Sequence, residues 1–217
     1  MTARRPVLYG RELSVDVGGF GGARIRRHLW QITLCALLGS ACLFGTARAE
    51  DETWAALQRG AHVILLRHAV TTPGVGDPPG FKLDDCSTQR NLTEQGRAQA
   101  RKLGEALRAR KPVIDRVVSS PWCRCIETAR LAFNRTAETS VALSNLFGQS
   151  EHRDPQVSEL RTLVSEFRGR GNLVLVSHGS TIVALTGVSP DTAEMVIVKP
   201  EGGGKFSVVG RLRPSPL

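Results

Sequence analysis

The residues Val63-Ile64-Leu65-Leu66-Arg67-His68-Ala69 decide how this chain is read. Four consecutive apolar residues run straight into an arginine and a histidine. A run with no polar interruption suits a strand covered on both faces, as in a parallel sheet with helices on either side. In such sheets ligands bind beyond the carboxyl ends of the strands, where Arg67 and His68 fall. Two further stretches end in the same way. Arg116-Val-Val-Ser-Ser-Pro121 is followed by Arg124 at the opening of a helical segment, and Asn172-Leu-Val-Leu-Val-Ser-His-Gly179 is again an apolar run that stops at a histidine. Three strands thus bring Arg67, His68, Arg124 and His178 to one edge of a sheet.

Outward from these strands, helical and extended patterns alternate. Asp51 to Arg59 reads as a short helix stopped by Gly60. Thr71 to Gln89 reads as a long loop, because Pro73, Gly74, Gly76, Pro78, Pro79 and Gly80 forbid regular structure; a loop of this length in a compact domain is usually functional, and it is expected to lie over the pocket. Thr93 to Lys111 is the clearest helix, with Thr93 as its cap and Ala98, Leu103 and Leu107 on its apolar face. Helices are also expected at Cys125 to Phe133, Gln156 to Phe167 and Thr181 to Thr186. Strands are expected at Val141 to Leu143, Met195 to Val198 and, at an edge, Phe206 to Val209. The alternation predicts a three-layer α/β sandwich with a mostly parallel central sheet and right-handed crossovers.

The first 49 residues read as an address and not as fold. Arg24, Arg26 and Arg27 precede an apolar stretch, Leu29 to Gly45, which gives way to Ala47-Arg48-Ala49. A charged region, an apolar region and a small-x-small site in this order predict a secretory signal cleaved after Ala49, leaving a domain of residues 50–217. The apolar stretch is short for a span of ~20 residues, so no stable membrane span is expected after cleavage; a membrane anchor and lipid attachment at Cys42 are the alternatives. A periplasmic or secreted protein follows.

Export changes how the charge and the cysteines are read. The formal charge is +9, but residues 1–49 hold seven arginines against Glu12 and Asp16, and from Glu50 onward 22 basic residues face 18 acidic ones. That mild excess, with 5% aromatic residues, lacks the clustered basic face of a nucleic-acid binder; basic groups gathered round an anionic substrate explain it. In an oxidising compartment Cys86, Cys123 and Cys125 allow one disulfide, which joins Cys86 to Cys123 or to Cys125, because alternate neighbours bridge poorly. No cysteine or histidine pairs stand at zinc-ligand spacing, so neither a metal nor a cofactor is expected. His28, His62 and His152 read as surface or core histidines.

The segments LLRHA, SSPWCRCIETA and VLVSHGS together resemble the three signature segments of the histidine phosphatase superfamily, also called phosphoglycerate mutase-like, over about Ala61 to Pro200. The resemblance implies that fold, and a phosphatase in which His68 is the nucleophile while Arg67, Arg124 and His178 complete the phosphate pocket. The chemistry agrees with the residue types. A neutral imidazole attacks phosphorus near pH 7 without a strong base. Guanidinium forks match the oxygens of a phosphoryl group in flight, and a helix opening at Gly179 adds its positive end. Arg90, in Thr-Gln-Arg-Asn-Leu, resembles a segment that recurs in the superfamily, and its expected role is structural, pairing with an acid to hold the loop.

The sequence departs from that pattern in its acid. Many relatives carry a glutamate after the third strand where this chain has Asn145, and others carry an aspartate directly after the second histidine, where Gly179 stands here. Glu151 and Asp154 are the remaining candidates to protonate a leaving oxygen; Glu194 reads as a strand-entry residue paired with backbone or an arginine. The expectation is an exported phosphomonoesterase acting on a small phosphorylated substrate. By resemblance to exported relatives, that substrate is an envelope sugar phosphate such as a phosphorylated sugar of the lipopolysaccharide core. A mutase is disfavoured, since it would keep its acid. The alternatives are a phosphohistidine phosphatase, whose leaving group needs no acid, and a non-catalytic phosphate-binding module.

Overall fold

Side chains that alternate along the two central strands sort into two separate cores. In the computed structural model, which describes residues 48–149, 151 and 153–213, strand β1 (Val63–Arg67) turns Ile64 and Leu66 to one side of the sheet and Val63 and Leu65 to the other. Strand β4 (Asn172–Ser177) does the same with Val174 and Val176 against Leu173 and Leu175. All eight are buried, each contributing ~1.5–3 kcal/mol relative to exposure. This two-sided burial is why both segments read as unbroken apolar runs.

One face carries the helix of residues 48–59 (α1), α2 (Glu94–Arg110) and α3 (Cys123–Phe133), which supply Trp54 and Leu57, Leu103 and Leu107, and Cys125, Ala129 and Ala132. The other face carries α4 (Arg153–Ser165) and α5 (Gly179–Thr186), which supply Leu160, Val164, Ile182 and Leu185. With β2 (Ile114–Ser119), β3 (Glu138–Thr139), β5 (Met195–Gly202) and β6 (Lys205–Leu212), the six strands are ordered β3-β2-β4-β1-β5-β6. The pairs β3/β2, β2/β4 and β4/β1 are parallel, whereas β5 and β6 join antiparallel. This is the expected three-layer, mostly parallel α/β sandwich, with the last strand at an edge.

The cap of α2 forms as the sequence predicts: Thr93 Oγ1 accepts from Gly96 N at 3.0 Å. Gly96 is required, because a Cβ there would collide with the carbonyl of Val70, on which the helix start rests. The buried stripe of α2 is Gly96, Ala100, Leu103, Gly104 and Leu107, and Ala98 is only half-buried.

One strand is misplaced by the sequence reading. Val141–Leu143 is a turn of 3₁₀ helix, and the ladder belongs to Glu138–Thr139. Ser140 decides this, its Oγ accepting from Ala142 N at 3.3 Å and turning the chain out of the sheet. Other boundaries move by a few residues: α3, α4 and α5 begin at Cys123, Arg153 and Gly179, and α4 ends at Ser165. The expected leader lies outside the described residues save for Arg48 and Ala49, as do His28 and His152. Among the described residues no helix is long and apolar enough to cross a membrane.

Candidate active site

Strand register puts the two histidines side by side. Arg67 pairs with Ser177 across the parallel β1/β4 ladder, so the next residues, His68 and His178, leave the sheet together, their rings 5.4 Å apart. On the other side of β4, Ser119 pairs with Val176, which places Ser120 beside His178. The chain then turns at Pro121, and Trp122 stands at the cap position before α3, whose first turn carries Arg124. All four residues expected at the strand ends therefore line one cavity of about 430 Å³, together with Arg90, Asn145 and the Gly179-Ser180 opening of α5.

The proton of His68 is assigned by its partner. His68 Nδ1 lies 2.8 Å from the carbonyl of Ala69, which only accepts, so Nδ1 carries the hydrogen and Nε2 keeps the lone pair. Burial, with the nearby Arg124, Arg67 and Arg90 charges, outweighs that bond and lowers the imidazole to about 3; His68 is thus neutral at working pH. The turn after it is fixed by Thr128, whose Oγ1 accepts from Ala69 N and donates to Arg124 O. His178 is also held neutral, first by burial and then by His68 and the arginines. Its Nε2 lies 2.8 Å from Ser120 Oγ. Cys125 Sγ lies 3.6 Å from the same nitrogen; a hydroxyl both donates and accepts, and in the tautomer in which Ser120 donates, Nδ1 carries the proton and is a donor.

Arg124 is completely buried, and its two terminal nitrogens are held by Asp77: Nη1 to Oδ1 at 2.7 Å and Nη2 to Oδ2 at 3.1 Å. Asp77 also accepts from Arg90 N and from Trp122 Nε1. Burial would raise the Asp77 carboxyl, but the hydrogen bonds and charge of Arg124 prevail and hold it below its ordinary value. End-on pairing consumes one edge of the guanidinium and leaves the side-on edge, Nε with the second Nη2 hydrogen, as the fork. Arg67 donates from Nη1 to Pro190 O and lies against the α-carbon of Gly179. Arg90 donates from Nη1 to Gly74 O. Its carboxylate contact with Asp77 runs through its backbone, so the expected loop anchor is real, and its guanidinium also forms part of the cavity wall.

Four buried polar atoms have no hydrogen-bond partner among the described residues: Nε of Arg67, Arg90 and Arg124, and Nδ1 of His178. All four belong to residues lining this one cavity. Buried donors left unpaired are costly, each ~1–3 kcal/mol or more when charged, so their convergence marks a site for a multidentate anion. Three guanidinium groups and the Asp77 carboxylate give a net +2, the complement of a phosphate dianion.

No carboxylate lines the cavity among the described residues. Asn145 does line it, with Oδ1 accepting from Ser180 Oγ and Phe147 N. Glu151 and Asp154 are exposed and are not in its wall. Glu194 is bound as expected, to Arg211, Arg213 and Asp191 N. It lines a separate cleft of about 1010 Å³ beside α1 and β6 that contains none of the four strand-end residues. His62 bonds Gly60 O. No cluster of three or more histidine, cysteine, aspartate or glutamate side chains suited to a metal occurs among the described residues.

The loop over the site is tied down. Cys86 and Cys123 form a disulfide, one of the two pairings the sequence left open, and Gln89 Oε1 accepts from Cys123 N. Cys125 is free and buried, its thiol pushed up by burial to about 12. Asp77, Ser120 and Thr128 escaped the sequence reading. Only the Ser-Ser-Pro-Trp and Glu-Thr-Ala portions of the quoted motif pointed toward the latter two.

Residues 63–159 match the model of a family described as the histidine phosphatase superfamily (branch 1). No curated protein sequence matches the chain significantly. Among solved structures, the protein histidine phosphatase SixA complexed with tungstate is similar with a TM-score of 0.53 and 20% identity, over 70% of this chain and 97% of that one. The product of open reading frame Rv3214 of Mycobacterium tuberculosis gives 0.52 at 21% identity, covering 70% and 98%. A phosphoserine phosphatase of Entamoeba histolytica in complex with phosphoserine gives 0.50 at 13%, covering 71% and 96%. At these identities the likeness is one of fold.

Proposed function

Because the chain belongs to the histidine phosphatase superfamily, we propose that it is a metal-independent phosphatase that hydrolyses phosphomonoesters through a phosphohistidine on His68. The observation that carries this reading is the convergence of four unpartnered buried nitrogens, three of them guanidinium donors, beside a neutral imidazole. The lone pair of His68 Nε2 attacks phosphorus and the P–O ester bond breaks, its electron pair leaving with the ester oxygen, which takes a proton from solvent. Arg67, Arg90 and Arg124 together with His178 Nδ1–H hold the equatorial oxygens, where charge spreads in the transition state. Water then attacks the phosphohistidine, giving inorganic phosphate and restoring the imidazole.

The substrate is a small phosphorylated molecule. If residues 1–49 direct export, sugar phosphates of the cell envelope, those of a lipopolysaccharide core included, are the candidates in reach. That no carboxylate lines the cavity among the described residues favours a second reading, a phosphohistidine phosphatase, since a phosphoramidate leaving group needs no acid of this kind.

Acid-labile, alkali-stable phosphate trapped on the protein after incubation with p-nitrophenyl phosphate and EDTA tests the proposal. Label is expected on wild type and not on His68→Ala. Turnover by His68→Ala above roughly a hundredth of wild type would overturn it.

A further inference from the structure

A second cavity, of about 470 Å³, adjoins the first, and Asn145 lines both. Its floor is an aromatic pair, Phe81 and Trp122, with ring centroids 5.9 Å apart. Trp122 also meets His178 edge-on at 5.3 Å, and Asp77 fixes its indole nitrogen. The platform is therefore rigid, apolar and next to the phosphate pocket.

The remaining wall combines Val141, Ser144 and Pro155 with side-chain amides, two of which, Asn145 and Gln156, are oriented by hydrogen bonds. Asn145 Oδ1 is occupied by Ser180 and Phe147, which leaves Nδ2 as a free donor at the boundary of the two cavities. Gln156 spends Nε2 on the carbonyls of Ala142 and Ser144, which leaves Oε1 as a free acceptor. Among the described residues Glu159 is the one charged residue lining the cavity, and no lysine or arginine does so. An apolar floor of two rings tilted by 38°, with an oriented donor, an oriented acceptor and a negative charge, suits a neutral ring bearing hydroxyl groups. It disfavours a second anionic group, which would meet Glu159 with no cation to neutralise it.

Resting on the phosphatase reading, we propose that this cavity is the leaving-group subsite and that the substrates are monophosphates of neutral polyhydroxylated rings, not phosphorylated carboxylates or polyphosphates. The ring stacks on Phe81 and Trp122 while its hydroxyl groups meet Asn145 Nδ2, Gln156 Oε1 and Glu159.

The test is kcat/KM for glucose 1-phosphate, 3-phosphoglycerate and acetyl phosphate, measured on wild type and on Glu159→Lys. Glu159 is exposed on α4, and lysine is as good a helix former, so folding is retained. Wild type is expected to favour the hexose phosphate over phosphoglycerate by at least about tenfold, and the added cation to reduce that ratio about tenfold by giving the carboxylate a partner. A wild-type ratio near one, or a ratio that Glu159→Lys leaves unchanged, overturns the subsite. Acetyl phosphate has no ring and reports the phosphate pocket alone. If wild type does not hydrolyse it, the phosphatase reading itself fails; if it does, failure of the ratios falls on the subsite only.

Discussion

Asp77 and Arg124 form a doubly hydrogen-bonded ion pair with side chains 3% and 0% exposed, inside the wall of a pocket made for anions. The carboxylate selects which edge of the guanidinium faces the phosphate. Removing one partner of a buried pair leaves an uncompensated charge, at a cost of ~3–5 kcal/mol. Asp77→Ala should therefore lower thermal stability substantially. Asp77→Asn, nearly isosteric, keeps more of the fold but puts an amide donor against Arg124; kcat/KM should fall by ~10²-fold, with vanadate affinity falling in parallel. Intact vanadate binding in a folded Asp77→Asn would reduce Asp77 to a loop anchor.

Arg124→Lys keeps the charge and loses the planar fork. A lysine cannot satisfy Asp77 and still present two parallel donors to the equatorial oxygens. Turnover of p-nitrophenyl phosphate should drop by ~10²–10³-fold, a loss of the size seen when one oxyanion donor is removed. Rates near wild type would take Arg124 out of the phosphate site.

His68, lowered to about 3, does not titrate in the range where the enzyme works. The acid limb of kcat/KM should belong to the second ionisation of the substrate, near pH ~6 for a phosphomonoester, and it should move with that value across a series of esters. A limb that stays put across the series assigns it to the protein. Stability follows a separate rule. Between about pH 3 and 6.5 the unfolded His68 binds a proton that the folded one does not, so stability is lost as pH falls through this window, by up to ~1.4 kcal/mol per unit. His68→Asn removes that contribution, and urea midpoints measured from pH 7 to 4 should decline less steeply in the variant.

With Asn145 in the wall and, among the described residues, no carboxylate beside it, leaving oxygens are expected to depart without a positioned acid. Rates should fall steeply as the pKa of the leaving phenol rises, because poor leaving groups need a proton in the transition state. Glu151→Gln and Asp154→Asn should leave that slope unchanged. A shallow slope in wild type that steepens in Glu151→Gln would hand the acid to the loop.

The Cys86–Cys123 disulfide spans 37 residues and joins the loop carrying Asp77 and Arg90 to the residue preceding Arg124. Cross-linking a segment of this length stabilises by ~4 kcal/mol in the loop-entropy model. Reduction, or Cys86→Ser, should lower the melting temperature and raise KM, since Arg90 and Asp77 lose their tether. An unchanged KM after verified reduction would show that Gln89 and the Arg124 pair hold the loop unaided.

The strand ends could be read from sequence because burial on both faces writes itself as an unbroken apolar run. His68 and His178 followed from where those runs stop, and Thr93 and Cys86 followed from simple local chemistry. Asp77 could not be found this way. It lies in a glycine- and proline-rich loop with no periodicity, and its partner is 47 residues distant. Arg90 was seen but undervalued, because only the tertiary structure shows its guanidinium turned to the cavity. Val141–Leu143 misled because an apolar triplet resembles a strand, whereas the real strand, Glu138–Thr139, is exposed and too short to leave a pattern.

The contact between Arg67 and Gly179 bears on how this active site can evolve. A side chain at Gly179 would place its Cβ 3.3 Å from the Cζ and Nε of Arg67, tighter than an ordinary contact. An aspartate there could supply the missing proton, but it would press on the guanidinium whose Nε faces the phosphate. Gain of an acid and adjustment of the clamp are thus coupled in one substitution. A mutational path from this site to one with an acid after the second histidine therefore has to shift the Arg67 side chain by a few tenths of an ångström as the acid is gained.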